Sequence, residues 1–280
     1  SPPAGCLALQ SPAMSDDAIH LLGVDTGGTF TDFVHFDGRS LRVHKVLSTP
    51  EAPEAAILQG VRELGLDTAG LRVIHGSTVA TNAALEGKGV PTVFITNRGF
   101  ADLLTIGRQA REDLYDLQPP PREPPVPPEL CLETGGRLGA DGGVVEDLSA
   151  GDLQDLAAAV ARLAPRSVAI CLLFSFLDER FERAAAAAMP EGVFVSRSSA
   201  VLPEYGEYER AVATWLNAWI GPLVAGYVGR LAAGLAPARV AVMQSSGETA
   251  DAARAGERAV HMLLSGPAGG LAGVGYAGRL

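Results

Sequence analysis

A chain of 280 residues with 47% hydrophobic side chains carries enough apolar material for one large or two modest domains. Its net charge of −10, with no cluster of Lys or Arg, sets nucleic acid aside as a partner. Three widely spaced cysteines, Cys6, Cys131 and Cys171, argue against a disulfide framework or a zinc site and for a reducing cytoplasm, and no apolar run approaches the roughly 18 residues of a membrane span.

The opening "SPPAGCLALQSPA" lacks the basic start of a signal peptide, and Met14 reads as a natural start, so residues 1–18 are expected to be a disordered extension. "HLLGVD", "FTDFVHF" and "LRVHKVLS" then alternate or run apolar between turn dipeptides such as Asp37-Gly38, which predicts three strands. Thr49 is placed to cap a helix with Pro50 in its first turn. Ile57, Val61 and Leu64 recur at helical spacing, and Gly65 is placed to stop it. A strand "LRVIHGS", a short helix "TVATNAALEGKG" and a strand "PTVFIT" follow. The order predicts an α/β layer with an antiparallel front end.

Between Gly99 and Leu148 the pattern breaks. "QPPPREPPVPPEL" must be extended, because each proline fixes φ and lacks an N–H; it reads as a stiff spacer in an insertion, with a docking ligand as the alternative. "GRLGADGGVVEDL" reads as a hairpin about Asp141-Gly142. A second α/β block starts at Ser149, a helix cap with Asp152 three residues on, followed by a buried stripe of Leu153, Leu156, Val160 and Leu163. "SVAICLLFSF" is apolar throughout, as a strand covered on both faces would be. A long helix from Glu207 carries Tyr208, Val212, Trp215 and Trp219 on one side, and Gly221-Pro222 is expected to kink it. "RVAVMQSSG" is a strand, and "LLSGPAGGLAGVGYAGRL" looks like a strand, a glycine turn and a helix start. The expected domains are 19–148, 149–240 and the beginning of a further one over 241–280.

The stretch "GVDTGGTFTDFV" has two readings. A hairpin needs residues that tolerate positive φ, and Gly27-Gly28 supply them. Alternatively, Thr26, Thr29 and Thr31 surround bare backbone N–H groups suited to phosphate oxygens, and Asp25 and Asp32 hold Mg2+, which takes one or two carboxylates and completes its shell with phosphate and water. On residues alone both stay open. No G-x-G-x-x-G follows the first strand, so a dinucleotide site is the weaker candidate.

This stretch resembles the N-terminal signature of the hydantoinase A / 5-oxoprolinase / acetone carboxylase family, in the actin–heat-shock protein–sugar kinase superfamily of ATPases. "HGSTVATNAALEGKG", "ITNRGFADLLTIGRQAREDLYDL", "VLPEYGEYERAVATWLNAW", "MQSSGE" and "LLSGPAGG" are similar to the same family in the same order, from about Leu21 to the end. The resemblance implies an α/β, ribonuclease H-like (actin-like ATPase) lobe with a mixed sheet plus a further α/β block. It also implies that the glycine stretch clasps ATP phosphates with Mg2+, through Thr26, Gly27, Gly28, Thr29 and Thr31.

His75, Ser77 and Thr78 stand where a strand passes to a helix, with Asn82 one turn on. They read either as a helix cap with His75 on a backbone group, or, by the resemblance, as neighbours of the active site with His75 catalytic. Arg108 and Gln109 sit in a glycine-led loop; the resemblance suggests a substrate-side role for them, and Arg111 reads as solvated. Gly266, Gly269 and Gly270 of "SGPAGG" offer N–H groups to the nucleotide. The family has Asn where Ser246 stands, which puts a hydrogen bond from that position in doubt.

A second D-x-G-G-T-like loop, expected for the facing lobe, does not occur in the chain. The resemblance therefore implies the N-terminal part of a longer subunit, completed by its missing C-terminal half or by a hydantoinase B-like subunit. Its implied reaction is ATP-dependent phosphorylation of a lactam, hydantoin or ketone oxygen, leading to hydrolysis or carboxylation. The alternative is a non-catalytic half-site module acting in assembly.

Overall fold

The computed structural model describes residues 20–110, 115, 117–118, 124–266 and 268. In chain order the elements are β1 His20–Thr26, β2 Phe30–Phe36, β3 Leu41–Leu47, α1 Pro53–Glu63, β4 Leu71–Ser77, α2 Val79–Leu85, β5 Thr92–Asn97 and α3 Leu103–Ile106. Then come β6 Cys131–Thr134, β7 Arg137–Leu138, β8 Val144–Glu146, α4 Ala150–Leu163, β9 Ser167–Cys171, α5 Arg180–Ala187, β10 Phe194–Arg197 and α6 Ser198–Val201. The last are α7 Glu207–Leu235, β11 Arg239–Met243, β12 Thr249–Asp251 and α8 Ala252–Glu257.

The first sheet has the order β12-β11-β4-β1-β2-β3. Its β1–β2–β3 meander is antiparallel, whereas β4 runs parallel to β1 and β11 parallel to β4. A mixed sheet of this order, an antiparallel meander followed by parallel strands, has the expected ribonuclease H-like, actin-like fold. The second sheet, β10-β9-β5-β6, is wholly parallel. Strand β9 lies inside it with all five residues buried, as its unbroken apolar run requires. The strand pairing divides the chain differently from the sequence blocks. β5 and β6 lie before Ser149 yet join the second sheet, and β11 returns to the first.

One helix unites the two sheets. The first half of α7 packs Ala211 and Ala218 against Phe94 and Ala169 of the second sheet. Its second half packs Ile220, Val224, Val228 and Leu231 into the core of the first, among Leu22, Val24, Phe33 and Ile57. By length and composition α7 is the one described helix that would suit a membrane span, which the apolar-run reading missed; half of that stretch is buried in this core. It continues as one helix with Pro222 inside.

Helix α1 starts later than Thr49 predicts. Pro53 takes the first helical turn, and the preceding Ala52 is held out of the helix, as a residue before proline is. Thr49 instead braces the approach, donating to Ala52 O at 2.6 Å and accepting from Ala56 N–H at 3.3 Å. At the other end Gly65, at φ 64°, makes the left-handed stop that was expected. Gly60 of this helix lies on the Phe33 ring so closely that any β-carbon would collide with it. Ser149 and Asp152 make the reciprocal cap of α4, and the hairpin β7–β8 turns at Asp141-Gly142.

Only one face of the first sheet carries this core. On the other face lie Asp25, Asp32, Val34, Lys45 and Ile74, together with the exposed Val43 and Leu41.

Candidate active site

β1 and β2 pair so that Asp25 stands directly opposite Asp32. Alternation along a strand puts both carboxylates on one face of the sheet and Thr26 and Thr31 on the other. Partial burial, with the facing Asp32 charge added to it, raises the Asp25 carboxyl above its usual range. Asp32 is offset by Lys45 of β3, whose ammonium lies 2.9 Å from it. Gly76 of β4 is Asp25's other neighbour; a β-carbon there would come within 3.2 Å of Asp25 Oδ1.

The turn between the strands is held from behind. Gly27 N–H donates to Phe30 O at 3.0 Å, and Ser48 N–H donates to Thr29 O at 2.9 Å. The Ser48 hydroxyl donates to Gly27 O at 2.8 Å and so accepts from Thr31, 3.0 Å away. Thr31 is thus fully buried and braces the turn, rather than facing a phosphate as its position in the motif suggested. Ser48 went unnoticed in the sequence, and nothing local to it signals the role.

The two glycines are not there for positive φ, since neither adopts it. A β-carbon on Gly28 would meet nothing within 4 Å. The absence of side chains instead leaves the tip of the turn bare. Among the described residues, the N–H groups of Gly28 and Thr29 have no hydrogen-bond partner. Backbone donors left free at the tip of a hairpin that also carries two facing carboxylates fit a phosphate whose charge is shared with a divalent cation. Among the described residues no group of three or more His, Cys, Asp or Glu could hold a metal alone, so the carboxylate pair needs ligand oxygens to complete a cation shell.

Two cavities flank the turn. One of about 360 Å³, on the carboxylate face, is lined by Asp25, Asp32, Gly76, Met243, Ser265 and Gly266. The other, about 350 Å³, lies behind the turn between β1, α2 and α7, and includes Thr26, Gly27, Gly28, Thr78, Asn82 and Tyr227. The Thr78 hydroxyl donates to Thr26 O at 3.2 Å, and the Asn82 amide lies 3.4 Å from Thr78 Oγ1.

Other candidates are placed elsewhere. His75 is completely buried, with Nδ1 3.4 Å from Val24 O and Nε2 2.5 Å from the Tyr227 hydroxyl. Burial drops its pKa to about 4, so it is a neutral ring donating to Val24 and accepting from Tyr227. It is not among the residues lining either cavity, and its bond to Val24 O is the backbone-bonded reading of His75 rather than the catalytic one. Ser77 is also buried, and its hydroxyl accepts from Val79 N–H at the start of α2, while Thr78, at the cap position, makes no capping bond.

Arg108 pairs with Glu209 at the start of α7, 2.5 Å away. The cavity behind the turn meets α7 from Leu223 onward, which is roughly 20 Å further along at 1.5 Å per residue. Arg108 and Gln109 are therefore not brought to this site. Gly266 is at its edge, where Ser265 donates to Ser77 O at 3.1 Å. Gly269, Gly270 and Arg111 lie outside the described residues.

The N-terminal region model of the hydantoinase/oxoprolinase proteins matches residues 21–192, and the hydantoinase/oxoprolinase model matches residues 210–280. The chain is 33% identical to the caprolactamase subunit alpha of Pseudomonas jessenii, over 88% of its own length and 38% of that protein's. The crystal structure of the ATP-dependent caprolactamase of that organism superposes with a TM-score of 0.75 at 32% identity, covering 89% of this chain and 39% of that one. A nucleotide-free structure of acetone carboxylase, from work on ATP-dependent acetone carboxylation, gives a TM-score of 0.77 at 25% identity, covering 94% and 41%. The chain thus spans about two fifths or less of the curated relatives it matches.

Proposed function

The chain belongs to the hydantoinase/oxoprolinase family, and from that premise we propose that it is the ATP-binding N-terminal part of an enzyme that activates a carbonyl oxygen of a lactam, hydantoin or ketone. The observation that carries this is the bare turn. Two N–H groups without a partner among the described residues, on Gly28 and Thr29, lie at the tip of the hairpin whose strands carry the facing carboxylate pair. Relatives of the same fold are ATP-dependent amide hydrolases and carboxylases.

In this reading Asp25 and Asp32 hold Mg2+, while Gly28, Thr29 and the exposed Thr29 hydroxyl receive phosphate oxygens. ATP bound there would supply a phosphoryl group to the carbonyl oxygen, with ADP leaving, which would make a poor electrophile a good one. The chain's own residues position it. Ser48 and Thr31 keep the turn rigid, Gly76 leaves room for the Asp25 carboxylate, and Lys45 prevents Asp32 from repelling an incoming anion. The 38–41% coverage of relatives supports a site completed by the rest of a longer chain or by a partner subunit of the hydantoinase B kind.

Calorimetric titration of Mg-ATP into the chain, with Asp25→Ala as control, tests this. Binding with Kd below about 1 mM, some −4 kcal/mol, is expected and should vanish in the variant. A folded chain that takes up no Mg-ATP even when joined to the completing segment or subunit contradicts it and leaves a non-catalytic assembly module as the function.

A further inference from the structure

The open face of the first sheet has an apolar half. In the row next to the carboxylates, Ala241, Ile74, Gly23, Val34 and Val43 stand side by side across five strands, and Leu21, Phe36 and Leu41 form the row after it. Val43 is 74% exposed, Leu41 67% and Val34 45%. Large apolar side chains gathered in register, rather than scattered singly, mark a surface that something covers.

Gly23 leaves a groove in the middle of the first of these rows, walled by Ile74 and Val34. A β-carbon on Gly23 would meet nothing closer than Val34 O at 3.7 Å, an ordinary contact. Packing among the described residues therefore does not require glycine there. A side chain laid in from above would need the space.

We propose that residues 269–280 of this chain are the cover, lying across the face with an apolar side chain in the groove over Gly23. The described chain arrives at the same place. Ser265 and Gly266 line one cavity with Gly23, Val34 and Ile74, and Ser265 is tied there by its bond to Ser77 O at 3.1 Å. The length suffices, since twelve residues reach roughly 18 Å even as a helix, and β4 to β3 is three strand spacings, about 14 Å. The composition fits as well: Leu271, Val274, Tyr276 and Leu280 stand among glycines and alanines, with Arg279 the one charge. A second copy on this face would instead bring another Asp25–Asp32 pair toward the first, which like charge opposes. Seated in this way, the segment closes the open side of the cavity of about 360 Å³ where Asp25 and Asp32 stand. The apolar rows call for this cover whether or not nucleotide binds.

Methyl NMR of the whole 280-residue chain with a soluble gadolinium chelate tests this. The methyl signals of Val34, Leu41 and Val43 should be as well protected from the chelate as those of the buried Val24 and Ile57. In the double variant Leu271→Asp, Val274→Asp that protection should be lost, while unmoved Val24 and Ile57 signals show that the fold is kept. Broadening of Val34, Leu41 and Val43 in the unaltered chain overturns the inference. So does protection that survives the double variant: if it fades on dilution, a second copy is the cover, and if it does not, another stretch such as residues 1–19 is.

Discussion

Two like charges set directly opposite each other on a sheet work against the fold. Asp25 and Asp32 are such a pair, and only Lys45 offsets them. The sign of the cost is fixed by the raised Asp25 carboxyl. It binds its proton more tightly folded than unfolded, so its contribution is favourable below the unfolded value of 3.8 and is lost as pH rises through the folded one. Asp25→Asn should therefore stabilise the chain at neutral pH by roughly 0.2–1 kcal/mol, with the gap closing in acid. Thermal unfolding across pH checks this; an Asn variant less stable than the wild type at neutral pH contradicts it. At this scale the aspartates were legible, because period-two alternation places them whatever surrounds them. His75 was legible in part: its bond to a backbone group was one of the two readings, and Nδ1 lies 3.4 Å from Val24 O, but the Tyr227 hydroxyl on its other nitrogen comes 152 residues later. Thr31 and Ser48 show the same limit: the motif suggests which residues matter, but a bond across 17 residues decides which way a hydroxyl turns.

Among elements, Trp215 and Trp219, expected on one side of α7, do stack, with ring centroids 5.2 Å apart. What the sequence hid is the charge in its first turns. Arg210 is 1% exposed. It donates to Ser198 Oγ at 3.0 Å, Leu172 O at 2.8 Å and Glu204 O at 3.1 Å. Its guanidinium also lies over the Phe176 ring. Ser198 in turn donates to the fully buried Glu182 at 2.6 Å, which also accepts from the N–H groups of Leu172 and Ser199. This network ties α5, α6 and α7 to the end of β9. Arg210→Met leaves Ser198 Oγ, Glu204 O and Leu172 O without the guanidinium they bond and should cost about 3 kcal/mol in denaturant unfolding. A loss below about 1 kcal/mol would show that the network carries little of the fold. No periodicity reveals such a residue, because an arginine on a helix reads as solvated until its partners are known. The displaced start of α1 was legible in principle, since Pro53 is as good a first-turn residue as Pro50 and only the later one leaves a full helix ahead of it.

At the scale of the whole molecule, element types and order followed from local pattern, while the allotment of strands to sheets did not. β5 and β6 cross to the second sheet although they precede the expected boundary, and α7 is a common wall to both. Parallel pairing joins segments far apart in the chain, so turn signals cannot report it. The same architecture brings β1, β2, β4 and α2 together at the glycine turn, with one cavity on each side. The central claim is that the bare tip of this turn receives phosphate. Residue-resolved NMR titration of the chain with Mg-ATP tests it most directly. The amide signals of Gly28 and Thr29 should move most, saturably, and stay put in Asp25→Ala. Nucleotide binding that shifts other amides while these two remain still would contradict it.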